Sequence, residues 1–210
     1  MASEAVLVFP RASAELVRRH VAPGARVIAV DAGADACLAA GVAPWALVGD
    51  MDSVSEATLA ACERAGARIE RHPAQKRDTD AALALGLARD AERILFVGAG
   101  GGRADHALAN LHLLASAAAW ADARAVDEDA HTWVVTPQRP LTLALPVGTT
   151  LSALPFDERV EGVTYEGLAY PLDEATFTAG DPYGVSNVAS APAQRIRVRR
   201  GRLFVIRPLP

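Results

Sequence analysis

The 210-residue chain is poor in the features that mark disulfide-rich, membrane-spanning and nucleic-acid-binding proteins. Its two cysteines, Cys37 and Cys62, have neither CxxC spacing nor the number needed for a disulfide framework, so we expect a reducing compartment. No apolar run approaches the roughly 18 residues that a membrane span requires, and the start Met1-Ala2-Ser3-Glu4 lacks the basic segment of a signal peptide. These absences predict a cytoplasmic, globular protein without a membrane partner.

Clustered positive charge is also scarce. The net charge of −4 and the isoelectric point near 5.7 argue against a nucleic-acid partner and favour a small-molecule substrate. Lysine is nearly absent, because the 21 basic residues include a single lysine, Lys76. A compact ammonium suits a phosphate as a point charge, although one lysine can also survive an arginine bias by chance.

Short apolar runs alternate with helical patterns over about the first 128 residues, which is typical of βαβ units around a parallel sheet. The predicted strands are Ala5–Phe9, Val27–Val30, Ala46–Val48, Ala67–Glu70, Ile94–Val97 and Ala123–Val126. The predicted helices are Ala12–Val21, Asp35–Ala40, Ser55–Ala65, Asp80–Asp90 and Asp105–Ala121.

Helical periodicity stops after Glu128, and short β-type runs separated by proline and glycine follow. These predicted strands are His131–Thr136, Leu141–Leu145, Thr150–Leu154, Gly162–Tyr165, Ala175–Thr178, Arg195–Val198 and Leu203–Ile206. We therefore predict a doubly wound, mainly parallel α/β domain over residues 1–128 and an all-β sandwich domain over residues 129–210. The hydrophobic content of 51% is ample for two such cores.

Two aspartates follow the third apolar run. Asp50 and Asp52 come directly after Ala46–Val48, at the edge where parallel sheets bind their ligands. Ionised carboxylates this close repel each other, and a hard cation such as Mg²⁺, which also binds substrate phosphates, relieves the repulsion. Helix capping is the alternative, and we accept it for Ser53. Capping does not explain Asp50, or Gly49, whose missing side chain lets a ligand approach the backbone.

A glycine-rich turn follows the fifth strand. Residues 98–102 read Gly-Ala-Gly-Gly-Gly and precede a helix, so backbone N–H groups and the helix dipole make an anion site. The turn is not a full dinucleotide fingerprint, because Arg103 occupies the third glycine position, but that guanidinium can pair bidentately with phosphate. Asp105 is either a general acid or base or simply complementary to the helix dipole, and both interpretations stay open.

Six motifs in chain order resemble those of the thiamin pyrophosphokinase family, across nearly the whole chain. In the first domain, Asp31–Ala34 resembles the family pattern D-G-G-A, Gly49–Ser53 resembles G-D-x-D-S, and Lys76–Asp80 resembles K-D-x-T-D. Gly101–Leu114 resembles G-G-R-x-D-H-x(3)-N-x(3)-L. Further along, Gly167–Leu172 resembles G-L-x-Y-P-L and Gly184–Asn187 resembles G-x-S-N. The resemblance implies a nucleotide-binding catalytic domain, a thiamin-binding and dimerisation domain, and a homodimer. It also implies transfer of the pyrophosphoryl group of ATP to the hydroxyl of thiamin, with Mg²⁺ assistance and AMP as the second product.

The same resemblance implies site residues. Asp50, Asp52 and Asp80 would hold Mg²⁺, Arg103 would stabilise the transferring charge, and Asp105 would orient or deprotonate the thiamin hydroxyl. The residues implied for nucleotide binding are Asp31, Gly49, Lys76, Thr79, Gly101, Gly102 and Asn110. Those implied for binding the partner subunit's thiamin are Ser186 and Asn187.

Departures from the family pattern keep two other functions open. Arg77 replaces the first aspartate of K-D-x-T-D, and Ala32 replaces a glycine. No aromatic residue follows Ser186-Asn187, so the ring that stacks on thiamin must lie elsewhere, with Phe204 as our guess. The first alternative is a related pyrophosphokinase acting on a pterin alcohol, against which the motifs of the second domain argue. The second is a non-catalytic nucleotide-binding module, which only Arg77 suggests.

Overall fold

The computed structural model describes residues 3–75 and 77–210, which divide into two compact units, one through Glu128 and one from Asp129. The strands of the first unit are β1 (Glu4–Val8), β2 (Arg26–Val30), β3 (Ala46–Gly49), β4 (Arg68–Arg71), β5 (Arg93–Val97) and β6 (Asp122–Val126). Its helices are α1 (Ala14–His20), α2 (Gly33–Ala39), α3 (Glu56–Arg64), α4 (Asp80–Gly86) and α5 (Ala104–Ala117).

The strands of the first unit form a parallel sheet in the order β6-β5-β1-β2-β3-β4. The chain builds outward from β1 to β4 and then returns to place β5 and β6 on the other side of β1. The central strands are buried along nearly their whole length, which explains their continuous apolar sequences. The reversal of strand order puts a topological switch point between β1 and β5, and open α/β sheets bind ligands at such points.

Side-chain caps start three of these helices. Ser13, Ser55 and Thr79 each accept a hydrogen bond from the backbone N–H three residues later, which satisfies one of the free donors of the first turn. The prediction that Ser53 caps α3 is therefore wrong, because Ser55 takes that position. The predicted helix Asp80–Asp90 ends at Gly86, although the apolar pattern continues through the following turn, where Ala88 is buried.

The second unit is an antiparallel β-sandwich. Its strands are β7 (Ala130–Val135), β8 (Leu141–Leu143), β9 (Thr150–Pro155), β10 (Arg159–Glu166), β11 (Leu172–Thr178), β12 (Asn187–Val188), β13 (Gln194–Arg197) and β14 (Leu203–Pro208). They pair in the orders β12-β9-β14-β7 and β11-β10-β13-β8. Inward-facing side chains such as Leu151, Phe177 and Ile196 form one core. Only β12 has no counterpart among the predicted strands, because two residues carry no alternation pattern.

The architecture confirms the predicted fold class, a parallel α/β sheet followed by an antiparallel sandwich. Among the described residues, no helix is long and apolar enough to cross a membrane.

Candidate active site

A cavity of about 390 Å³ opens at the carboxyl edge of the parallel sheet, beside the switch point. It is enclosed by the loops that follow β1, β2 and β5 and by the first turns of α4 and α5. Its polar and glycine lining residues are Arg11, Asp31, Ser53, Thr79, Asp80, Gly98, Gly101, Gly102, Arg103, His106 and Asn110. The structure therefore gathers most of the residues predicted for nucleotide binding around one cavity.

Three aspartates from separate parts of the chain come together here. Asp31 follows β2, Asp50 follows β3 and Asp80 begins α4. Burial, followed by the negative charges of Asp80 and Asp50, raises the pKa of Asp31 to about 7. The neighbouring Asp50 carboxyl raises the pKa of Asp52 in the same way, and Asp50 Oδ1 accepts a hydrogen bond from the Asp52 N–H at 3.0 Å. The protein thus holds two carboxylate pairs, and their crowding favours bound protons or a cation.

The backbone at this edge is strained. Asp31 and Met51 have φ angles of +44° and +68°, which L-residues other than glycine rarely adopt. The Asp31 N–H donates to the carbonyl of Val48 at 3.0 Å, and the Met51 N–H donates to the Asp31 carboxylate. Strain of this kind costs about 1–3 kcal/mol at each residue and is concentrated at functional sites.

Gly49 makes room for the Asp31 carboxylate. A Cβ atom at position 49 would lie 1.6 Å from Asp31 Oδ1. The sequence predicts that this glycine admits a ligand to the backbone, whereas in the structure the side chain of Asp31 takes the space. Asp31, which we predicted only for nucleotide binding, thereby becomes a central member of the carboxylate cluster.

The predicted metal ligands are present but do not form a closed ligand set. Among residues 3–75 and 77–210, no three His, Cys, Asp or Glu side chains are placed to hold a metal ion. Asp50 and Asp52 line a separate cavity of about 390 Å³, and Asp80 lines the first one. The donor set still fits Mg²⁺, because its atoms are hard carboxylate oxygens and the buried Oδ1 of Asp31 has no hydrogen-bond partner. Lys76, predicted to contact phosphate, lies outside the described residues.

The glycine-rich loop is held in place from two sides. The Gly100 N–H donates to Asp127 Oδ1 at 2.7 Å, and Asn110 Nδ2 donates to the carbonyl of Ala99 at 2.8 Å. Gly101 and the next residue have φ angles of +72° and +67°, a conformation that favours glycine. Asn110 therefore holds the loop as well as lining the cavity. Sequence analysis missed Asp127, although its place directly after β6 follows the rule that identified the other carboxylates.

Arg103 and Asp105 form an exposed bidentate pair. Arg103 Nε and Nη2 lie 3.1 Å and 2.7 Å from the two carboxylate oxygens of Asp105. The Arg103 guanidinium holds the pKa of Asp105 at about 2. A carboxylate with so low a pKa is a weak proton acceptor at neutral pH, so this arrangement favours an orienting role for Asp105 over a basic one.

Arg11 is a second residue that sequence analysis missed. It follows β1 and lines the cavity beside the glycine-rich loop. The available signal was again its position after a buried strand, but the sequence between β1 and α1 carries no motif.

In the second unit, Asn187 stabilises the fold and Ser186 is exposed. Asn187 is 6% exposed; its side chain accepts from the Tyr170 N–H at 3.0 Å and donates to the Tyr170 carbonyl at 2.9 Å. Ser186 has a φ of +62°. The ring of Tyr170 is 68% exposed, whereas Phe204 is nearly buried against Phe156. The structure therefore leaves Tyr170, rather than Phe204, with an open ring face.

A parallel sheet with paired carboxylates and a glycine-rich loop at its switch point, followed in the chain by a sandwich, defines a class: an α/β protein with an anion site at the sheet edge and an additional all-β unit. Residues 19–124 match the family model for the thiamin pyrophosphokinase catalytic domain, and residues 138–203 match the one for its vitamin B1 binding domain. The chain belongs to the thiamin pyrophosphokinase family, as its motifs predicted, and is a kinase-type transferase.

Similar proteins support this assignment over nearly the full length. Thiamine pyrophosphokinase of Bacillus subtilis (strain 168) is 31% identical over 183 residues, which cover 86% of each chain. The crystal structure of thiamine pyrophosphokinase from Bacillus subtilis has a TM-score of 0.88 at 26% identity, covering 99% of this chain and 100% of that one. The crystal structure of thiamin pyrophosphokinase from Geobacillus thermodenitrificans has a TM-score of 0.80 at 25% identity, covering 100% and 98%.

Proposed function

We propose that this enzyme transfers the pyrophosphoryl group of ATP to the hydroxyl of thiamin, giving thiamin diphosphate and AMP with Mg²⁺ assistance. The observation that carries the proposal is the cavity at the switch point, which Asp31, Asp80 and the glycine-rich loop line together, with Asp50 in the adjoining loop after β3. Transfer of a pyrophosphoryl group requires cations that neutralise the negative charge of its oxygens and backbone N–H groups that donate to them. It does not require a covalent nucleophile from the protein. In this proposal the carboxylates would hold the neutralising cation and the glycine-rich loop would supply the donors, both at the same sheet edge.

In this proposal Asp50, Asp52 and Asp80 hold Mg²⁺, with Asp31 beside them. Bound there, the ion would neutralise charge on the pyrophosphoryl oxygens. Without a cation, burial and the neighbouring carboxylates raise the pKa of Asp31, and Asp50 raises the pKa of Asp52, so a bound cation would relieve their repulsion. Gly49 preserves the position of Asp31 by leaving room for its carboxylate.

Nucleotide phosphates would contact Gly101, Gly102 and Thr79, with Lys76 as a further cation. Arg103 would leave Asp105 and pair with the transferring group. Because Arg103 is the main cause of the low pKa of Asp105, its departure would raise that pKa. Asp105 would then be a better acceptor for the proton of the thiamin hydroxyl, so nucleotide binding would prepare the second substrate's reaction.

Two surfaces support thiamin as the acceptor, and each lies within one unit. In residues 1–128, the nucleotide-binding catalytic domain, a groove of about 580 Å³ is lined by Asp105, Arg77 and Leu108. In residues 129–210, the thiamin-binding and dimerisation domain, Ser186 and the exposed Tyr170 would contact thiamin, and Asn187 would set the Tyr170 backbone. A homodimer would supply the two surfaces from different subunits. The free thiols of Cys37 and Cys62 agree with a cytoplasmic location.

The test is AMP release from ATP and Mg²⁺ with thiamin, with a pterin alcohol, or with no acceptor. We expect AMP only with thiamin, together with thiamin diphosphate, and no AMP when EDTA removes the metal. AMP only with the pterin alcohol would assign the other acceptor. Nucleotide binding without AMP release would identify a non-catalytic module, and a monomer by light scattering would contradict the shared site.

A further inference from the structure

Arg11 stands at the switch point of the parallel sheet. Arg11 follows β1, after which the chain continues to β2 on one side of the sheet. The glycine-rich loop follows β5, the parallel neighbour of β1, after which the chain continues to β6 on the other side. The crevice between two such loops is where α/β sheets bind ligands. The Arg11 side chain extends along the loop: a Cβ atom at Gly102 would lie 3.4 Å from Arg11 Cδ, and one at Gly101 would lie 3.9 Å from its Nε.

The charge of Arg11 is not neutralised by any residue that the structure describes. Some arginines of this unit, such as Arg26 with Asp90 and Arg103 with Asp105, have carboxylate partners, whereas others, such as Arg64, have none among the described residues but do not line the cavity. Arg11 has neither an ion pair nor a hydrogen bond among residues 3–75 and 77–210. It faces Gly101 and Gly102, two of the left-handed glycines in the loop that leads into the first turn of α5, where backbone N–H groups have no helical partner. A guanidinium and a backbone anion site that share one cavity call for an anionic ligand.

The order of strand ends indicates which phosphate this ligand carries. The glycine-rich loop, Arg11, Asp31 and Asp50 follow β5, β1, β2 and β3, which are successive neighbours about 4.8 Å apart. A phosphate on the β2 and β3 side would meet mainly carboxylates and would need a metal. A phosphate on the β5 and β1 side would meet Arg11 and the glycine-rich loop, with Asp31 and Asp80 elsewhere in the lining of the same cavity.

We propose that Arg11 binds the α-phosphate of the nucleotide, the phosphate that remains on AMP. The proposal rests on the proposed function. In that reaction the bond between the β-phosphorus and the oxygen that bridges it to the α-phosphorus breaks, while the thiamin oxygen, losing its proton to Asp105, bonds to the same phosphorus. The electron pair stays on the bridging oxygen, which leaves as part of AMP. Arg11 would therefore hold the group on which negative charge develops.

The experiment is calorimetric titration of AMP and of adenosine, with Mg²⁺ present, into the wild type, R11Q, R11K and R64Q. Arg64 is a matched control, because it is an exposed arginine of the same unit that does not line the cavity. We expect R11Q to weaken AMP binding about tenfold or more, since hydrogen bonds to charged groups contribute that much. Adenosine affinity should not change, R11K should keep part of the AMP affinity, and R64Q should match the wild type.

Three results would overturn the assignment. The first is an AMP affinity of R11Q within twofold of the wild type, and the second is a loss of AMP and adenosine affinity by the same factor in R11Q. The third is a wild type that binds AMP no more tightly than adenosine. The proposed function is tested separately by thiamin-dependent AMP release from the wild type. If that release fails while AMP binding still depends on Arg11, the reaction is wrong and the phosphate site stands.

Discussion

Replacement of Gly49 by alanine tests whether the geometry of the carboxylate cluster depends on a missing side chain. The new Cβ would lie 1.6 Å from Asp31 Oδ1 and 2.5 Å from its Cγ. Ordinary contacts between such atoms begin near 3.5 Å, so the carboxylate must move by about 2 Å. The obstructing atoms belong to a side chain, so the strand itself can stay in place. The movement would carry the Asp31 carboxylate away from the Met51 N–H and change its distance to Asp80.

The expected cost to stability is moderate and the cost to activity is large. Overpacking of this kind lowers the free energy of unfolding by about 1–3 kcal/mol. A displacement of about 1 Å at a reacting centre can reduce turnover about a hundredfold, so we expect at least that loss in G49A. Urea denaturation measures the first quantity, and thiamin-dependent AMP release measures the second.

A double-mutant cycle with D31A identifies the cause. Without the Asp31 carboxylate the alanine meets no obstacle, so G49A should cost less stability in the D31A background, with a coupling of about 0.5–3 kcal/mol. The control is G86A: Gly86 ends α4 with nothing within 4 Å of its added Cβ, and this change should be neutral or stabilise by up to about 1 kcal/mol. Equal costs of G49A in both backgrounds, or a fully active G49A single variant, would refute the reasoning.

Three further changes test other parts of the structure. D52N should nearly abolish turnover with an unchanged melting temperature, because Asp52 is an exposed proposed metal ligand outside the core; wild-type-like turnover in the folded variant would contradict its role. N187D removes the donor to the Tyr170 carbonyl inside the sandwich and should lower the free energy of unfolding by about 1–3 kcal/mol, measured in urea; an unchanged midpoint would show that this hydrogen bond is dispensable. D157N should lower it by about 1–2 kcal/mol at pH 7, because Arg202 donates to both Asp157 oxygens. The hydrogen bonds from Arg202 lower the pKa of Asp157 from its ordinary value of 3.8. This contribution to stability is therefore present above about pH 4 and is lost as pH falls through the lowered pKa. A difference in unfolding free energy between D157N and the wild type that stays constant into strong acid would contradict it.

Much of the fold and part of the site could be predicted from local patterns. The alternation of apolar runs with helical periodicity located every strand of the parallel sheet. For the central strands the reason is that buried strands need continuous apolar residues, whereas the edge strand β4 carries polar residues and is only partly buried. Asp50, Asp52 and the glycine-rich loop were found because they directly follow such strands. Helix ends were predicted less well, since apolar periodicity continues past Gly86 into a turn that is buried but not helical.

The roles of individual residues depended on contacts between distant parts of the chain. Asn187 has the sequence context of a substrate-binding turn, yet its amide is buried and hydrogen-bonded to Tyr170, 17 residues away. Gly49 has the context of a ligand approach, yet it accommodates Asp31. Neither contact is encoded in a short motif, because each depends on which strands and loops become neighbours after folding.

By itself, the sequence determined that strands and helices alternate, that a sandwich follows, and that carboxylates and glycines stand at strand ends. Periodicity and turn chemistry are local properties, so they can be read along the chain. Only the tertiary structure decided that β1 and β5 lie side by side. This pairing places Arg11 against Gly101 and Gly102, although these glycines lie about 90 residues further along the chain. The tertiary structure also decided that Asp31 and Asp80 line the same cavity, where the charge of Asp80 helps to raise the pKa of Asp31. Strand order arises from how the whole chain packs its apolar faces, and that order brings these charges together.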